Sequence, residues 1–521
     1  MDSLLSKFNT IVNSVITGFD RIVFKGRIRP IMHSTGMESF LRAKKIMYKE
    51  FKEYAVKQSI AIVKTAEETS QKHNNRSITP IFSLNDRKET MAHERQKEEN
   101  IRDGLIGVWS CVESCNTFKF DYKPESKSAF LRSERSKCKH LYYYFDDPVY
   151  GFMSARLQTW APYEIQISLN GREWLRRSLD KSNCGYELDG NKFLHIDDYE
   201  LAQKLLDSQL TENLNKVLNS FLPTVFPNMT DVVGPHLSYY WTFWQSEVAK
   251  DYIFKSSDML KPLMNDLLIH ALVTGNGERV LRYFGRPITP SGQPGPNTNP
   301  EIQSKTKLWY DGLRVRHYHD TNSVKFYNQH NVLRFEMTMN DSSKFWAYRH
   351  SEAQNKTEPK KHMKIRKGVA DTTLRVEASK QAIDRFTEQM SAFEEKSRLG
   401  ELLSVVSSPF VKKSKKVRAL DVFGKDMELL RAVSDPRFSV AGITNKDLKK
   451  ILAISTWAKG MAGKQLSGRI TRHLSLLRDH GLIKKYPNQR KYMLTDKGRK
   501  ITAAFNAASA ASVCDLLRSA A

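Results

Sequence analysis

Residues 313–341, LRVRHYHDTNSVKFYNQHNVLRFEMTMND, consist of three runs in which apolar and polar side chains alternate. Alternation with a period of two is the signature of a strand that has one face buried, because successive side chains point to opposite faces. The turn residues at 320–322 and 329–331 separate the runs. The segment therefore predicts an antiparallel meander of three strands, which needs other elements to cover its apolar face.

Strict alternation assigns the polar side chains of the meander to its two faces. We predict that one basic, outward-facing surface carries Lys325, Tyr327, Arg334 and Glu336. His317 and His319 then fall on the opposite side of their strand. Only a β-bulge before His317 would bring the two imidazoles round to Glu336.

The charge balance of the chain indicates a polyanionic partner. Lys and Arg outnumber Asp and Glu by 83 to 57, a formal net charge of +26 over 521 residues. The basic excess is highest in the runs 359–367 and 411–418. A field of this sign attracts nucleic acid or an anionic membrane. No stretch has the roughly 18 consecutive apolar residues of a spanning helix, so we expect a cytoplasmic nucleic-acid-binding protein and no membrane.

The aromatic segment 239–254, YYWTFWQSEVAKDYIF, is interpreted as a helix that buries most of its rings. Rings that stack on the bases of a nucleic acid are the alternative. Glu247 and Asp251 lie four residues apart, so on a helix they would share a face. Two acids at this spacing either hold a metal ion or belong to a solvated surface. The solvated surface is the more common outcome.

We predict a multidomain α+β protein with mixed N-terminal and central antiparallel sheets. Composition and periodicity place the boundaries of the predicted regions as follows: a mixed N-terminal region at 1–104, a β-rich and then helical domain at 105–283, a Pro/Gly-rich linker at 284–305, a basic meander with a long helix at 306–410, and a C-terminal domain at 420–521.

Four residues have the types of a zinc site: Cys111, Cys115, Cys138 and His140. The segment around the first two reads as a strand, in which four residues span roughly 13 Å. Thiolates that share one zinc ion lie much closer together than that. Buried free thiols are therefore the favoured interpretation, and a zinc site remains the alternative.

The C-terminal hundred residues have the most regular pattern. Two short helices are expected near 426–435 and 444–452, the second capped by Thr444. A third helix follows, with an apolar stripe at Leu466, Ile470, Leu474 and Leu477 and a stop at Gly481. Two short basic strands and a last helix complete the pattern.

The segment LRDHGLIKKYPNQRKYMLTDKGRKI resembles the recognition helix and wing of bacterial winged helix-turn-helix regulators, including the MarR-like group. The resemblance implies that Arg469, Arg472 and His473 enter a major groove of duplex DNA. It also implies that Arg490 and Lys491 reach phosphates or the minor groove. A winged helix that makes protein contacts is the alternative.

The meander is similar, over about thirty residues, to the sheet of phage and plasmid replication initiators. That resemblance implies a metal-dependent DNA nickase, with Mg²⁺ or Mn²⁺ held by His317, His319 and Glu336 and with Tyr327 as the nucleophile. Tyr348 is the alternative nucleophile. In that family the tyrosine lies on a helix after the metal strand, unlike Tyr327.

Three segments, GFDRIVFKG, RLQTWAPYEIQISLNGREWL and NSVKFYNQHNVLRFEMTMND, resemble large bacterial proteins of mobile elements. We therefore expect a DNA-binding protein that acts in replication or transposition initiation. The alternatives are a non-catalytic transcriptional regulator and a structured-RNA-binding protein. The expected basic contacts with nucleic acid are Lys325, Arg334, Lys360, Lys361, Lys364, Arg366 and Lys367.

Overall fold

A computed structural model of the chain describes residues 2–82, 86–274, 277–285, 302–309, 312–351, 357–391, 399–412, 414–435, 438, 442–486 and 489–512. Three predicted features lie outside or partly outside these residues: most of the linker at 284–305, the turn at 487–488, and Cys514.

The helices of these residues are α1 Ser3–Lys7, α2 Ser34–Ala43, α3 Phe51–Asn74, α4 Lys88–Glu98, α5 Gly171–Lys181, α6 Tyr199–Ser208, α7 Leu214–Ser220, α8 Leu222–Val225, α9 Met229–Val233, α10 Ser257–Thr274, α11 Gly277–Tyr283, α12 Thr372–Met390, α13 Leu399–Ser407, α14 Met427–Val433, α15 Asn445–Leu452, α16 Gly463–Asp479 and α17 Asp496–Ala510.

The strands are β1 Val12–Arg27, β2 Thr79–Pro80, β3 Gly104–Lys123, β4 Ser128–Asp147, β5 Gly151–Gln158, β6 Ile165–Asn170, β7 Tyr186–Asp189, β8 Lys192–Ile196, β9 Tyr240–Phe254, β10 Ile302–Trp309, β11 Gly312–His319, β12 Asn322–Gln329, β13 Val332–Met339, β14 Trp346–Arg349, β15 Lys361–Lys364, β16 Phe410–Lys412, β17 Lys415–Val417, β18 Ile483–Lys485 and β19 Tyr492–Leu494.

One large sheet joins most of these strands. Its order is β10-β11-β12-β13-β9-β1-β6-β5-β4-β3-β2, and every pair is antiparallel except β2 with β3. The α+β class and the meander β11-β12-β13 are thus confirmed. The sheet takes strands from the predicted regions 1–104, 105–283 and 306–410, so these three regions share one core.

The two faces of the sheet differ in chemistry around β11, β12 and β13. One face, called here the apolar face, packs Phe326 and Phe335 against Phe386 of α12, with ring centroids 5.9 and 5.5 Å apart. The other, the polar face, places Arg316, Lys325 and Glu336 side by side on neighbouring strands. Helix α5 and the hairpin β7-β8 cover one end of the polar face.

The interpretation of 239–254 as a helix is wrong, because the segment forms β9 in the middle of the sheet. A central strand is covered on both faces, so its residues do not show simple alternation. Glu247 and Asp251 still share a face, since residues four apart in a strand point the same way.

Residues 399–512, called here the C-terminal module, have a separate apolar cluster that includes Leu403, Leu448 and Phe505. The predicted stripe of the third helix is confirmed, with all four residues on α16 buried. The predicted cap is confirmed as well, because the Thr444 hydroxyl accepts a hydrogen bond from the Asp447 amide at 3.2 Å. Gly481 ends the helix with a φ of +72°.

Among the described residues, no helix is both long and apolar enough to span a membrane.

Candidate metal centre

A bulge in β1 shapes the middle of the polar face. In the pairing of β1 with β9, Phe19 faces Val248 and Arg21 faces Glu247, so Asp20 is the extra residue on β1. A bulge changes the direction of side chains locally and strengthens the twist of its strand. Asp20 is only 7% exposed and reaches the same face as Glu247.

Three carboxylates converge at this bulge: Asp20 on β1, Glu247 on β9 and Glu336 on β13. One oxygen of each lies within 4.8 Å of the others. This group is called the carboxylate triad below. It is the one cluster of metal-ligand side chains found in the described part of the chain. Three adjacent strands of the sheet supply the three side chains.

A buried ion network fixes the first carboxylate of the triad. The Arg334 guanidinium donates to both oxygens of Asp251, at 2.6 and 2.8 Å, and lies 3.1 Å from Asp20. Arg172 of α5 lies 3.0 Å from the same Asp251 carboxylate. Burial is the largest single influence on Asp20 and would raise its pKa, but the charges of Arg334, Arg172, Lys192 and Lys325 together hold that pKa below its usual value.

Gly171 lets α5 approach the bulge closely enough to place Arg172. A Cβ atom at this position would lie 2.5 Å from the Phe19 carbonyl oxygen, which no side chain can tolerate. The preceding Asn170 caps the helix, since its side chain accepts from the amides of Arg172 and Glu173. The sequence NGR therefore sets the depth at which Arg172 enters the polar face.

The other two carboxylates have different surroundings. The Lys325 ammonium lies 2.5 Å from Glu336, whose side chain is 1% exposed. The structure records no hydrogen bond or ion pair for the side chain of Glu247 among the described residues. Burial and the neighbouring Glu336 raise the pKa of Glu247 to about 7. Glu247 is thus protonated near neutral pH or stabilised by a bound cation.

The donor set suits a hard divalent cation. All three ligand groups are carboxylates, and oxygen donors select Mg²⁺, Mn²⁺ or Ca²⁺ over zinc. Positive side chains surround the triad, and two of them, Lys325 and Arg334, contact its carboxylates directly. Arg21 is exposed opposite Glu247, and the half-buried Arg316 donates to the Ser323 hydroxyl at 2.9 Å. This combination of acidic centre and basic rim resembles the environment that a metal ion and a phosphate need together.

The prediction that Lys325, Tyr327, Arg334 and Glu336 share a face is confirmed by the pairing of β12 with β13. The prediction that this face is exposed is wrong at all four positions, which are 1–8% exposed. Lys192 of β8 covers the ring of Tyr327 at 5.4 Å, and Trp309 packs on it edge-on. Burial raises the pKa of Tyr327. The phenol is therefore poorly suited to attack a large substrate.

The four residues predicted as a nickase site do not converge. The pairing of β11 with β12 is regular, without the bulge that the site requires, so His317 faces α12 instead of Glu336. Its ring contacts Tyr283 and Phe386, and burial lowers its pKa to about 4. His319 packs against Phe284 on the same apolar face. The metal site predicted from these two histidines and Glu336 is therefore a wrong assignment.

The cysteine cluster lies on the β3-β4 hairpin. Cys111 pairs with His140 across the hairpin, while the Cys138 sulfur lies 3.9 Å from the His140 Nδ1 atom. These residues do not form a metal-ligand cluster within the described ranges. The Cys111 thiol instead donates to the Glu113 carboxylate at 3.2 Å.

In the C-terminal module, Arg472 is exposed on α16. The neighbouring Arg469 and His473 pack on the ring of Trp457, at 4.4 and 4.8 Å, so Trp457 orients both. Arg490 and Lys491 are exposed just before β19. The predicted wing contacts Arg490 and Lys491 are thus exposed, and of the predicted groove contacts only Arg472 is exposed.

In the basic run 359–367, the lysines Lys360, Lys361, Lys364 and Lys367 are exposed. Arg366 differs from them, since it is half-buried and its guanidinium binds the Asp371 carboxylate at 2.5 Å. Its expected role as a nucleic-acid contact competes with this ion pair.

Asp20 was missed from the sequence, because it follows GF in a strand whose bulge leaves no local mark. Glu247 was named as a possible metal ligand, but on a helix and paired with Asp251, which binds Arg334 instead. The one available signal was a carboxylate in an otherwise apolar strand, because burial of a carboxylate is costly unless it is paired or functional.

No protein-family model matches this chain, and no match is found among curated proteins or solved structures.

Proposed function

We propose that the protein binds DNA and hydrolyses phosphodiester bonds with a divalent cation held by the carboxylate triad. The observation that carries this proposal is the convergence of Asp20, Glu247 and Glu336 within 4.8 Å on a sheet face with a basic rim. The resemblance of three segments to mobile-element proteins supports a role in the initiation of replication or transposition.

A bound Mg²⁺ or Mn²⁺ ion would polarise the scissile phosphate and stabilise the charge that develops on it. The chain's own residues have separate tasks. Deprotonated Glu247 completes the ligand set, Lys325 holds Glu336 in place, and Arg21 attracts the phosphate. In the reaction a water molecule adds to phosphorus and loses a proton to solvent. The phosphorus–oxygen bond to the leaving nucleoside breaks, and that oxygen takes up a proton.

Cleavage of supercoiled plasmid and of single-stranded DNA with Mg²⁺ or Mn²⁺ tests the catalytic proposal. We expect Glu247→Gln to lower the rate by more than the roughly 10- to 100-fold that loss of an outer-shell partner costs. DNA affinity should not change. Glu187→Gln, which alters an exposed glutamate on β7, is the matched control. Cleavage that persists in EDTA, or that Glu247→Gln leaves unchanged, would contradict the proposal.

Water and a tyrosine nucleophile leave different products. A tyrosine would form a covalent 5′-phosphotyrosine adduct. Because Tyr327 is 3% exposed, we expect Tyr327→Phe to retain cleavage and denaturing gels to show no adduct. An adduct that disappears in Tyr327→Phe would reinstate the tyrosine mechanism.

We further propose that the C-terminal module is a winged helix that binds duplex DNA through α16. The exposed Arg472 and the basic residues before β19 support this proposal. If Arg472 contacts a base, Arg472→Ala in the full chain should weaken binding to the preferred site by about 1–3 kcal/mol relative to random duplex. Equal loss on both duplexes would indicate a phosphate contact instead.

A non-catalytic DNA-binding regulator is the second candidate, and one observation favours it. Lys325 and Arg334 already neutralise part of the charge of Glu336 and Asp20. In other proteins, buried ion-pair networks of this kind also occur without any catalytic role. The two candidates differ in one measurable property: the nuclease cleaves DNA when a divalent cation is present, and the regulator does not cleave DNA at all.

A further inference from the structure

The hairpin β14-β15 carries exposed aromatic rings. Trp346 is 50% exposed and Tyr348 is 55% exposed, although both are large apolar side chains. His362 of β15 lies beside both, with ring centroids 5.4 Å from Trp346 and 5.1 Å from Tyr348. Three neighbouring rings, two of them half exposed, can form a platform on which bases stack.

Lysines surround this platform. The Lys364 ammonium lies 6.0 Å from the centre of the Trp346 ring, and Lys360 and Lys361 are exposed nearby. The structure records no ion pair with a carboxylate for these three lysines among the described residues. Lysines without a carboxylate partner attract phosphates, and aromatic rings stack on bases, so this surface has the chemistry that binds a nucleic acid.

A second group of exposed rings lies where β1 ends and β9 begins. Lys25 lies 3.7 Å from the ring centre of Trp244, which is 50% exposed, and Arg29 lies 3.4 Å from that of Tyr240, which is 37% exposed. Trp244 precedes Glu247 by three residues on β9, a distance of roughly 10 Å along a strand. The pairing of β1 with β9 skips Trp244, and this second bulge turns its ring towards Lys25, which lies on the same face of β1 as Arg21 opposite Glu247. These rings therefore border the polar face close to the carboxylate triad.

The backbone joins the two groups at one end of the sheet. The segment that follows β15 pairs with the start of β9, since the Phe243 amide donates to the Lys367 carbonyl at 2.8 Å and Thr242 bridges to Gly368. The Tyr240 hydroxyl lies so close to Gly368 that a Cβ atom there would be 2.5 Å from it. The hairpin is thus anchored beside the rings of β9.

We propose that these two groups form a track that binds single-stranded DNA and leads it to the carboxylate triad. In a duplex the faces of the bases are already stacked on one another. Exposed aromatic side chains can therefore stack only on the bases of an unpaired strand. The track rests on the proposed function for its connection to cleavage and for the choice of DNA. Its binding activity does not depend on a metal ion.

Binding is measured with the full chain in EDTA, by fluorescence anisotropy of a labelled oligothymidine. Loss of one base–aromatic stack weakens binding roughly 5- to 150-fold, so the double variant Trp346→Ala/Tyr348→Ala, which removes two rings, should bind at least about 30-fold more weakly than wild type. The variant Trp346→Phe/Tyr348→Phe should bind within about threefold of wild type, since rings remain. Phe82→Ala, which removes a 91% exposed ring on a segment next to the opposite edge strand, is the matched control and should have no effect.

Wild-type affinity in the double alanine variant would overturn the track. An equal loss of duplex binding would overturn its preference for single strands, and tighter binding of oligouridine would overturn the choice of DNA. Because track binding is measured in EDTA and cleavage requires a cation, a failure of cleavage and a failure of the track give different results.

Discussion

The two faces of β11, β12 and β13 both carry residues that bind metals in other proteins, yet they differ in what surrounds those residues. On the apolar face, His317 is packed between the rings of Tyr283 and Phe386. On the polar face, Glu336 meets two carboxylates from neighbouring strands and a lysine. The comparison teaches that ligand type alone does not define a metal site. The ligands must also converge, and here their convergence depends on a bulge in β1, a strand that is distant in sequence.

The largest effect should come from the ion network under the triad. Arg334→Met removes the cation that binds Asp251 and Asp20, and leaves two buried carboxylates with less compensation. Loss of one partner from a buried pair costs about 3–5 kcal/mol in the free energy of unfolding. Urea denaturation measures this loss. A change below about 1 kcal/mol would mean that water or other residues already compensate these carboxylates.

Cation binding should stabilise the fold in a pH-dependent manner. Because the folded pKa of Glu247 is about 7 instead of 4.5, the proton stabilises the metal-free protein below pH 4.5, and that contribution is lost as the pH rises through 7. A cation replaces the proton. At a hundred times its Kd, Mn²⁺ should add about 2.7 kcal/mol at pH 8. At pH 6 it should add about 1.4 kcal/mol less, because affinity falls about tenfold per pH unit below the pKa.

Glu247→Gln is the control for this prediction. The variant should gain stability over wild type in metal-free buffer above pH 7, and Mn²⁺ should no longer raise its melting temperature. Stabilisation by Mn²⁺ that persists in Glu247→Gln would move the cation to another site.

The smallest effect should come from the apolar face, and it has the opposite pH dependence. His317 has a folded pKa of about 4 against 6.5, so wild type loses stability as the pH falls from 6.5 towards 4. His317→Phe removes that loss. At pH 8 the variant should lie within about 1 kcal/mol of wild type, because the lost hydrogen bond to Ser304 is offset by apolar burial. A larger difference at pH 8, or an unchanged acid limb, would contradict this assignment.

The sequence predicted the elements that depend on local pattern. The helix 463–479 has its apolar stripe, its terminating Gly481 and the helices it packs against within one short module. Periodicity was therefore sufficient to predict it. Glu336 was also assigned to the correct face, because β12 and β13 alternate regularly across a short turn. Such features need no information from distant residues.

The rest depends on long-range pairing. Asp20, Glu247 and Glu336 come from strands that begin at residues 12, 240 and 332, and no local pattern indicates that these strands are neighbours. Strand β9 is buried on both faces only in its second half, residues 248–254, so its mixture of aromatic and charged residues does not show the alternation of a strand. The bulge at Asp20 is visible only once β9 is paired with β1.

Direct measurement of Mn²⁺ binding tests whether the carboxylate triad holds a divalent cation. Titration calorimetry or electron paramagnetic resonance at pH 8 should find a site in wild type and in His317→Gln, with Kd values within about twofold. Glu247→Gln and Asp20→Asn should each weaken binding by more than roughly 10- to 100-fold. Loss of the ion in His317→Gln with retention in the two triad variants, or no binding of Mn²⁺ by wild type, would contradict a cation site at the triad.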